Sequence, residues 1–277
     1  MDEWLDHGGG RGAFDMTAAA APSRRISLSL NADHSCGPLS YLEMGRAYGP
    51  VVLFLHGLGA DCLAWHYCLP AFISNYRVLA LDLPGHGKSG HEVGGGDVAF
   101  MTGWLEEALT LLKVSSANVV AHSMGAKLAL GLAHRHPERV QSLTLIAPAG
   151  LGGPFHYETM DTYLAAPSLK TAQTLARFLV TERHAQMVPA LAQALYEAVS
   201  DPGRQAAFVK LLETAKTFGV ALTPEWRDWT QVRCPVQFIW GDQDRLTPLH
   251  EAVRWCMFCR ILAICPMLRR RQGSCRI

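Results

Sequence analysis

Short apolar runs that recur along the chain constrain its fold more than any other feature. Most residues in each run are apolar, without the alternation of a strand exposed on one face, so helices are expected to cover both faces. Helical patterns separate the runs, and this alternation predicts an α/β fold with a doubly wound, mostly parallel sheet. The runs are "VVLFL" (51–55), "RVLALDL" (77–83), "NVVAH" (118–122), "SLTLIAP" (142–148) and "VQFIWGD" (236–242), and the helical patterns cover 97–113, 125–135 and the start of a helix at 248–256.

The segment 151–230 interrupts this alternation, because it holds helical patterns but no strand-like run. Ligands in open α/β sheets bind at the carboxyl ends of the strands. A helical segment inserted between two strands is therefore expected to form a cap over those ends and to roof a binding site.

The same patterns divide the chain into five parts. Residues 1–22 are rich in Gly and Ala and lack the basic and apolar regions of a secretory signal, so we expect a disordered leader. An opening hairpin begins the core, and the last 22 residues turn abruptly rich in Cys, Met and Arg. The predicted parts are the leader (1–22), the first part of the core (23–150), the cap (151–230), the rest of the core with an acid loop (231–255) and an aberrant tail (256–277).

Composition argues against nucleic-acid binding and membrane insertion as functions of the chain. The chain has 277 residues, is 49% hydrophobic and carries a formal net charge of +1, as expected for one globular domain with an insertion. This charge gives no general attraction to nucleic acid or anionic membranes, and no apolar run reaches the roughly 18 residues of a membrane span. The absence of an export signal predicts reduced cysteines and a cytoplasmic location. We expect neither a cofactor nor a metal, since "CMFC" (256–259) has no second cysteine pair at zinc-site spacing.

The stretch "AHSMG" (121–125) follows an apolar strand and opens a helical pattern. A sharp strand-to-helix turn exposes a serine there as a nucleophile, and it requires small neighbours such as Gly125. The helix N-terminus offers backbone N–H groups to a developing oxyanion. Ser123 is therefore the predicted nucleophile, and the N–H of Met124 is one predicted oxyanion donor.

The stretch "HGLGAD" (56–61) follows the strand at 51–55 and holds two glycines. Gly57 and Gly59 allow the backbone to curl, so that the N–H of Leu58 points into the site as the second oxyanion donor. His56 is expected to support this loop rather than to act as a base. His122, which precedes the serine, is likewise assigned to support of the site loops.

Acidic residues follow the last predicted strand in "WGDQDRLTP" (240–248). An acid at the end of a strand is well placed to orient a catalytic histidine. We assign that role to Asp244, and we expect Asp242 to accept local backbone N–H bonds. Because Asp favours turns in any case, a purely structural turn is the alternative.

Taken in order, "HGLG", "DLPGHGKS", "AHSMG" and "GDQDRLTP" resemble the motifs of the α/β-hydrolase superfamily over roughly residues 25–250. With "LTLIAPAGLGGP" (143–154), the chain looks most like the hydrolase-type domain of acetoin dehydrogenase acyltransferase subunits. It also resembles the hydrolases that cleave carbon–carbon bonds of meta-cleavage products. The resemblance implies serine chemistry on an ester, thioester or ketone carbonyl.

The base of the expected triad is missing from this pattern. In the superfamily the histidine follows the acid after a further helix and strand, whereas the only histidine after Asp244 is His250, six residues later in a predicted helix start. We do not expect His250 to be the base. The sequence leaves the base unassigned.

The aberrant tail suggests why the histidine is absent. Codons begun one base earlier, from Leu262 onward, can spell Gly-His-Met-Pro-x-x-Glu, which resembles the histidine loop of the superfamily. We therefore expect a shifted reading frame, with the C-terminal strand and helix of the fold lost or altered. An ordinary divergent terminus and a basic, cysteine-rich segment that binds a metal or an acidic partner remain the alternatives.

The expected function is that of a serine hydrolase for a small hydrophobic carbonyl substrate, impaired as written because the base is missing. An acyltransferase of the same fold and a non-catalytic ligand-binding protein are the alternatives. Aromatic residues of the cap favour an aromatic or hydrophobic acyl group, although they equally suit a helical core. They are Phe155, Tyr157, Tyr163, Phe178, Trp226 and Trp229. The sequence assigns no oligomeric state.

Overall fold

A computed structural model describes residues 24–30, 34–151, 156–218 and 229–248, and a mixed sheet organises them. Within the described residues the sheet has seven strands in the order β1-β2-β4-β3-β5-β6-β7. β1 and β2 pair antiparallel, as do β2 and β4, whereas all later pairs are parallel. The strands are β1 (Arg24–Leu30), β2 (His34–Gly45), β3 (Val51–Leu55), β4 (Arg77–Leu81), β5 (Ala117–His122), β6 (Val140–Ile146) and β7 (Val236–Ile239). The predicted α/β class with a mostly parallel sheet is confirmed.

The centre of the sheet has the burial that its apolar sequence predicts. All five residues of β3 are buried, and they pair with β4 on one side and β5 on the other. Helices on both faces account for this burial, because an exposed face would favour polar residues at every second position. The helices are α1 (Val98–Leu111), α2 (Met124–Arg135), α3 (Tyr157–Ala165), α4 (Leu169–Leu179), α5 (Val188–Ala198) and α6 (Pro202–Phe218).

Local capping sets where two of these helices begin. The Asp97 carboxylate accepts the N–H of Phe100 at the start of α1. Ser168 and Thr171 form a reciprocal capping box at the start of α4. Both arrangements satisfy N–H groups that the first turn of a helix leaves without partners.

The helices α3–α6 build a second hydrophobic core of their own. It contains Tyr163, Leu175, Leu195 and Phe208, whereas the main core joins the sheet to α1 and α2 around Trp104. We call the segment α3–α6 the cap. Leu58, in the loop after β3, contacts both cores, so this loop lies between the sheet and the cap.

Close backbone approaches place the cap over the loops that follow β3 and β4. A Cβ added to Gly85 would lie 2.8 Å from the Cβ of Ala207 on α6, and one added to Gly59 would lie 3.6 Å from a methyl of Leu195 on α5. Arg204 of α6 also donates to the Gly87 carbonyl at 3.1 Å. The carboxyl ends of the central strands are thus covered by cap helices.

Several of the sequence predictions lie outside the described residues. They concern the leader at 1–22, the tail at 256–277 with its altered strand and helix, His250, Phe155 and Trp226. The domain boundaries stay predictions. Along the described ranges, no helix combines the length and the apolar character that crossing a membrane requires.

Candidate active site

Ser123 occupies the turn between β5 and α2 in a strained backbone conformation, with φ 50° and ψ −112°. A positive φ is uncommon for a residue with a side chain, and it persists where surrounding bonds hold it. The Ser123 N–H donates to the Ile146 carbonyl at 2.9 Å, and its carbonyl accepts from the N–H of Ala149 at 3.1 Å and of Lys127 at 3.2 Å. The serine therefore stands at the N-terminus of α2, fixed by the end of β6. In the same helix, burial lowers the pKa of the Lys127 amine to about 8.

Gly125 explains why this turn needs a small residue. A Cβ at that position would lie 2.5 Å from the carbonyl oxygen of His56 and 2.6 Å from that of Leu55. Both atoms belong to backbone at the end of β3, which cannot move aside cheaply. Only glycine allows the first turn of α2 to pack directly against the loop after β3.

That loop lies beside the serine. A Cβ added to Gly57 would be 3.1 Å from the Cβ of Ser123 and 2.8 Å from Nδ1 of His122, and Gly59 adopts φ 81°. Met124 is the first residue of α2, a position whose N–H has no partner within its own helix. The structure thus brings the loop of Leu58 next to the helix end that carries Met124.

His56 is fully buried, and both of its ring nitrogens are in use. Nδ1–H donates to the Gly57 carbonyl at 2.8 Å, and Nε2 accepts the N–H of Leu83 at 3.0 Å. Burial lowers the pKa of this imidazole, which favours the neutral form that these two bonds require. His56 therefore ties the loop after β3 to the loop after β4 and has no nitrogen left for proton transfer.

Asp82 makes a second tie between the same two loops, and the sequence analysis gave it no role. Its buried carboxylate accepts the N–H of Cys62 at 2.8 Å and the N–H of Lys88 at 3.0 Å. A Cβ at Gly87 would lie 2.2 Å from the Asp82 carboxyl carbon. The signal was present in the sequence, since an acid directly after an apolar strand is followed by a glycine-rich loop.

His86 extends this buried cluster to the cap. Its Nδ1–H donates to the Pro84 carbonyl at 2.8 Å, and its ring lies 5.0 Å from that of His56 and 4.4 Å from that of Phe208 on α6. Burial, with a smaller contribution from His56, holds the pKa of His86 well below its usual value. Two neutral histidines and a carboxylate thus form one buried polar cluster under the cap.

The acid turn, residues 244–247, follows β7 and carries Asp244. One oxygen of Asp244 accepts the N–H groups of Leu246 and Thr247, both at 2.9 Å, and the other accepts the Thr247 hydroxyl at 2.9 Å. Trp240 donates its indole N–H to the Thr247 carbonyl at 2.7 Å. The turn N–H groups therefore go to Asp244, which corrects the sequence assignment of that role to Asp242, an exposed residue. The second oxygen of Asp244 retains accepting capacity for an imidazole N–H.

His122 places a further imidazole at the site. The residue is exposed to solvent, and its ring lies against Gly57 beside Ser123. Desolvation lowers the pKa of His122, and the negative charge of Asp244 partly opposes this shift. The charge of Asp244 therefore acts on the ring that lies beside Ser123.

The remaining predicted site features are not placed by the structure. His250 and the tail lie outside the described residues, so the base stays unassigned. Among the residues that the structure describes, no three His, Cys, Asp or Glu side chains cluster closely enough to hold a metal ion.

Comparison with known proteins supports the fold described above. A family model for the alpha/beta hydrolase fold matches residues 50–270. The dihydrolipoyllysine-residue acetyltransferase component of the acetoin cleaving system of Pseudomonas putida is 34% identical over 183 residues, with 60% of this chain and 49% of that protein covered. Its Cupriavidus necator counterpart is 34% identical, with 35% of its length covered. The chain thus spans half or less of these two relatives.

Other relatives match over more of their length. The 2-hydroxy-6-oxononadienedioate/2-hydroxy-6-oxononatrienedioate hydrolase of Burkholderia vietnamiensis is 29% identical, with 77% of each chain covered. Among solved structures, a meta-cleavage product hydrolase from Pseudomonas fluorescens IP01 gives a TM-score of 0.71 at 24% identity, with 82% of this chain and 84% of that chain covered. At that identity, the structural match supports a common fold.

Proposed function

Because the chain belongs to the alpha/beta hydrolase family, whose model matches residues 50–270, we propose that it is a serine hydrolase for a small hydrophobic carbonyl substrate. The observation that carries this proposal is the strained Ser123 at the N-terminus of α2, with the loop of Gly57 against it. A serine held in this way, beside two candidate oxyanion donors, suits attack on a carbonyl.

The proposed reaction is acyl transfer to Ser123 followed by hydrolysis. A base removes the hydroxyl proton as Ser123 Oγ attacks the carbonyl carbon. The N–H groups of Leu58 and Met124 hold the oxyanion, the leaving group departs, and water then releases the acyl group. Asp244 orients the imidazole of the base and stabilises its protonated form.

Turnover by the 277-residue polypeptide is expected to be poor. After Asp244 its sequence offers only His250, which lies too early for the histidine of the family, and the tail fits a shifted frame. Loss of a triad histidine costs on the order of 10⁶ in kcat, while an oxyanion hole and substrate binding retain about 10³–10⁴ over water. Hydrolysis of p-nitrophenyl esters at ordinary enzyme rates would contradict this part of the proposal.

The substrate class is proposed from the surroundings of the site. Leu58 from the oxyanion loop and Leu246 from the acid turn both pack against the apolar core of the cap. An ester, thioester or ketone with a hydrophobic acyl group suits such a surface. Of the cap aromatics, Tyr163 is buried with its hydroxyl bonded to the Leu195 carbonyl, which favours a structural role for that residue.

Labelling with a fluorophosphonate tests the nucleophile directly. We expect covalent modification of Ser123, identified by peptide mass spectrometry, and its loss in Ser123→Ala. Labelling needs a single attack by the serine and no turnover, so an impaired enzyme is still expected to react, but far more slowly than an enzyme with a complete triad. A folded protein that binds hydrophobic esters without any labelling would instead establish the non-catalytic ligand-binding alternative.

Acyl transfer is a second candidate, favoured by the 34% identity to the Pseudomonas putida acetyltransferase component. In this case an alcohol or a thiol takes the place of water at the acyl-serine. Product analysis with an added thiol distinguishes the two, because transfer gives a new thioester in proportion to the thiol concentration. Free acid at every thiol concentration would support hydrolysis.

A further inference from the structure

We propose that Arg245 is a positioning residue that holds the acid turn against the C-terminus of cap helix α4, so that the cap and the Asp244 carboxylate move together. The inference deepens the proposed function, because it assigns a role next to the proposed triad acid. The sequence motifs alone do not predict this role for Arg245.

Within the described residues, Arg245 bonds to one end of α4. One guanidinium nitrogen donates to the carbonyls of Arg177 and Val180, each at 2.7 Å. The guanidinium carbon lies 5.2 Å from the centre of the Phe178 ring. One side chain from the sheet domain therefore binds two backbone carbonyls and an aromatic ring in the last turn of a cap helix.

The end of α4 is chemically suited to a cation. The last carbonyls of a helix have no partners within it, and the helix dipole places partial negative charge there. Val180 is the residue at which α4 ends. The planar guanidinium can bond to two carbonyls while it contacts an aromatic face, which a lysine ammonium does less well.

The acid turn is built as a unit, so a hold on Arg245 extends to Asp244. Both oxygens of Asp244 accept bonds from Leu246 or Thr247 within the same turn. Leu246 of the same turn also packs against the cap core. A displacement of α4 would therefore displace the carboxylate, and release of Arg245 would remove the hydrogen bonds that tie the turn to α4.

Hydrogen–deuterium exchange with residue-level fragmentation tests the proposal without any need for activity. In Arg245→Ala we expect the amides of Leu246, Thr247 and Val180 to exchange about tenfold faster, as local opening becomes easier. Arg245→Lys should recover part of the protection. Arg177→Ala is the matched control, because it removes the same charge from the same helix end but keeps the carbonyl that Arg245 binds.

The outcomes separate positioning from general stability. The proposal is overturned if these three amides exchange at the wild-type rate in Arg245→Ala. It is equally overturned if amides of α1 accelerate to the same extent, or if Arg177→Ala behaves like Arg245→Ala. Protection loss confined to the acid turn and the end of α4 supports it.

Fluorophosphonate kinetics then connect the position of the turn to the site. The charge of Asp244 acts on the His122 ring beside Ser123. We therefore expect the limiting labelling rate of Ser123 to fall about tenfold in Arg245→Ala, with an unchanged reagent affinity and partial recovery in Arg245→Lys. If the wild-type protein is not labelled at all, the proposed function fails, while the exchange experiment still decides the role of Arg245. If labelling is unaffected in Arg245→Ala, the coupling to Asp244 is wrong.

Discussion

The two halves of the candidate site are held in different ways. On the nucleophile side, fully buried His56 and Asp82 lock the loops after β3 and β4 together beneath the cap. On the acid side, half-buried Asp244 bonds within its own turn, and exposed Arg245 connects that turn to α4. Buried polar groups with complete hydrogen bonding specify one conformation strongly, whereas exposed ones contribute less.

This difference follows from position in the sheet. β3 and β5 are central strands with neighbours on both sides, while β7 lies at one edge of the described sheet and pairs only with β6 there. The turn at Ser123 and the loop of Leu58 are therefore expected to form even when the segment after the acid turn is altered. The acid turn depends on weaker local contacts. We therefore expect destabilising changes to displace Asp244 before they displace Ser123.

The largest effect is expected on the nucleophile side, from Gly125→Ala. The new Cβ would meet the backbone oxygens of Leu55 and His56 at 2.5–2.6 Å, where no side chain can move away. We expect a loss of about 3 kcal/mol in the free energy of unfolding and at least a hundredfold slower labelling of Ser123. Denaturant unfolding measures the first quantity.

Gly103→Ala on α1 is the matched control for this substitution. Nothing lies within 4 Å of a Cβ added there. We expect this variant to gain stability, since alanine is favoured over glycine within a helix. Near-equal stability of the two variants would show that the approach of α2 to β3 is less tight than described.

A pair of carboxylate substitutions compares the two halves directly. Asp82 is a buried acceptor of two backbone N–H groups. Asp82→Asn removes its charge and places the amide N–H₂ against one of these N–H groups. We therefore expect a loss of about 2 kcal/mol in unfolding free energy. Asp244→Asn, in a half-buried turn, should cost less stability and mainly slow Ser123 labelling. Urea unfolding and labelling rates of both variants measure the contrast, and equal stability losses would refute it.

The sequence predicted the strands and turns that follow from regular backbone geometry. Apolar runs gave the central strands, and the small residues of "AHSMG" gave the turn at Ser123, because only glycine fits at position 125. It showed an acid after an apolar strand at Asp82, but not the contacts of Asp82 and His86, since these join loops and a cap helix that lie far apart in the chain. The sequence assigned the turn N–H bonds to Asp242, whereas those of Leu246 and Thr247 go to Asp244, because spacing alone does not tell which of two nearby acids faces the turn.

Acid sensitivity is the next prediction, and it also belongs to the nucleophile side. Burial lowers the pKa of both His56 and His86 in the folded state, so the unfolded state binds more protons below about pH 6.5. Their contribution is fully present above that pH and is lost as the pH falls toward the folded-state pKa. We expect the unfolding free energy to drop by up to about 1.4 kcal/mol per pH unit for each histidine.

Urea unfolding from pH 7.5 to 5.5 measures this dependence. His86→Phe should flatten the curve, because phenylalanine keeps the packing against Phe208 but cannot bind a proton. A curve that His86→Phe does not flatten would remove His86 from the acid response.

The smallest effect is expected at Ala147, which follows β6 with φ 41°. Its N–H donates to the Ile239 carbonyl at 2.9 Å, so β7 holds the alanine in the left-handed region next to Ile146, the acceptor of the Ser123 N–H. Ala147→Gly removes this strain, which outweighs the larger entropy of glycine in the unfolded chain, and we expect a gain of about 0.5 kcal/mol. Ala149→Gly, at a residue without positive φ, should lose stability instead. If both variants lose stability in urea unfolding, Ala147 is not strained. The bond from Ala147 to β7 then contributes nothing to the strain next to Ser123.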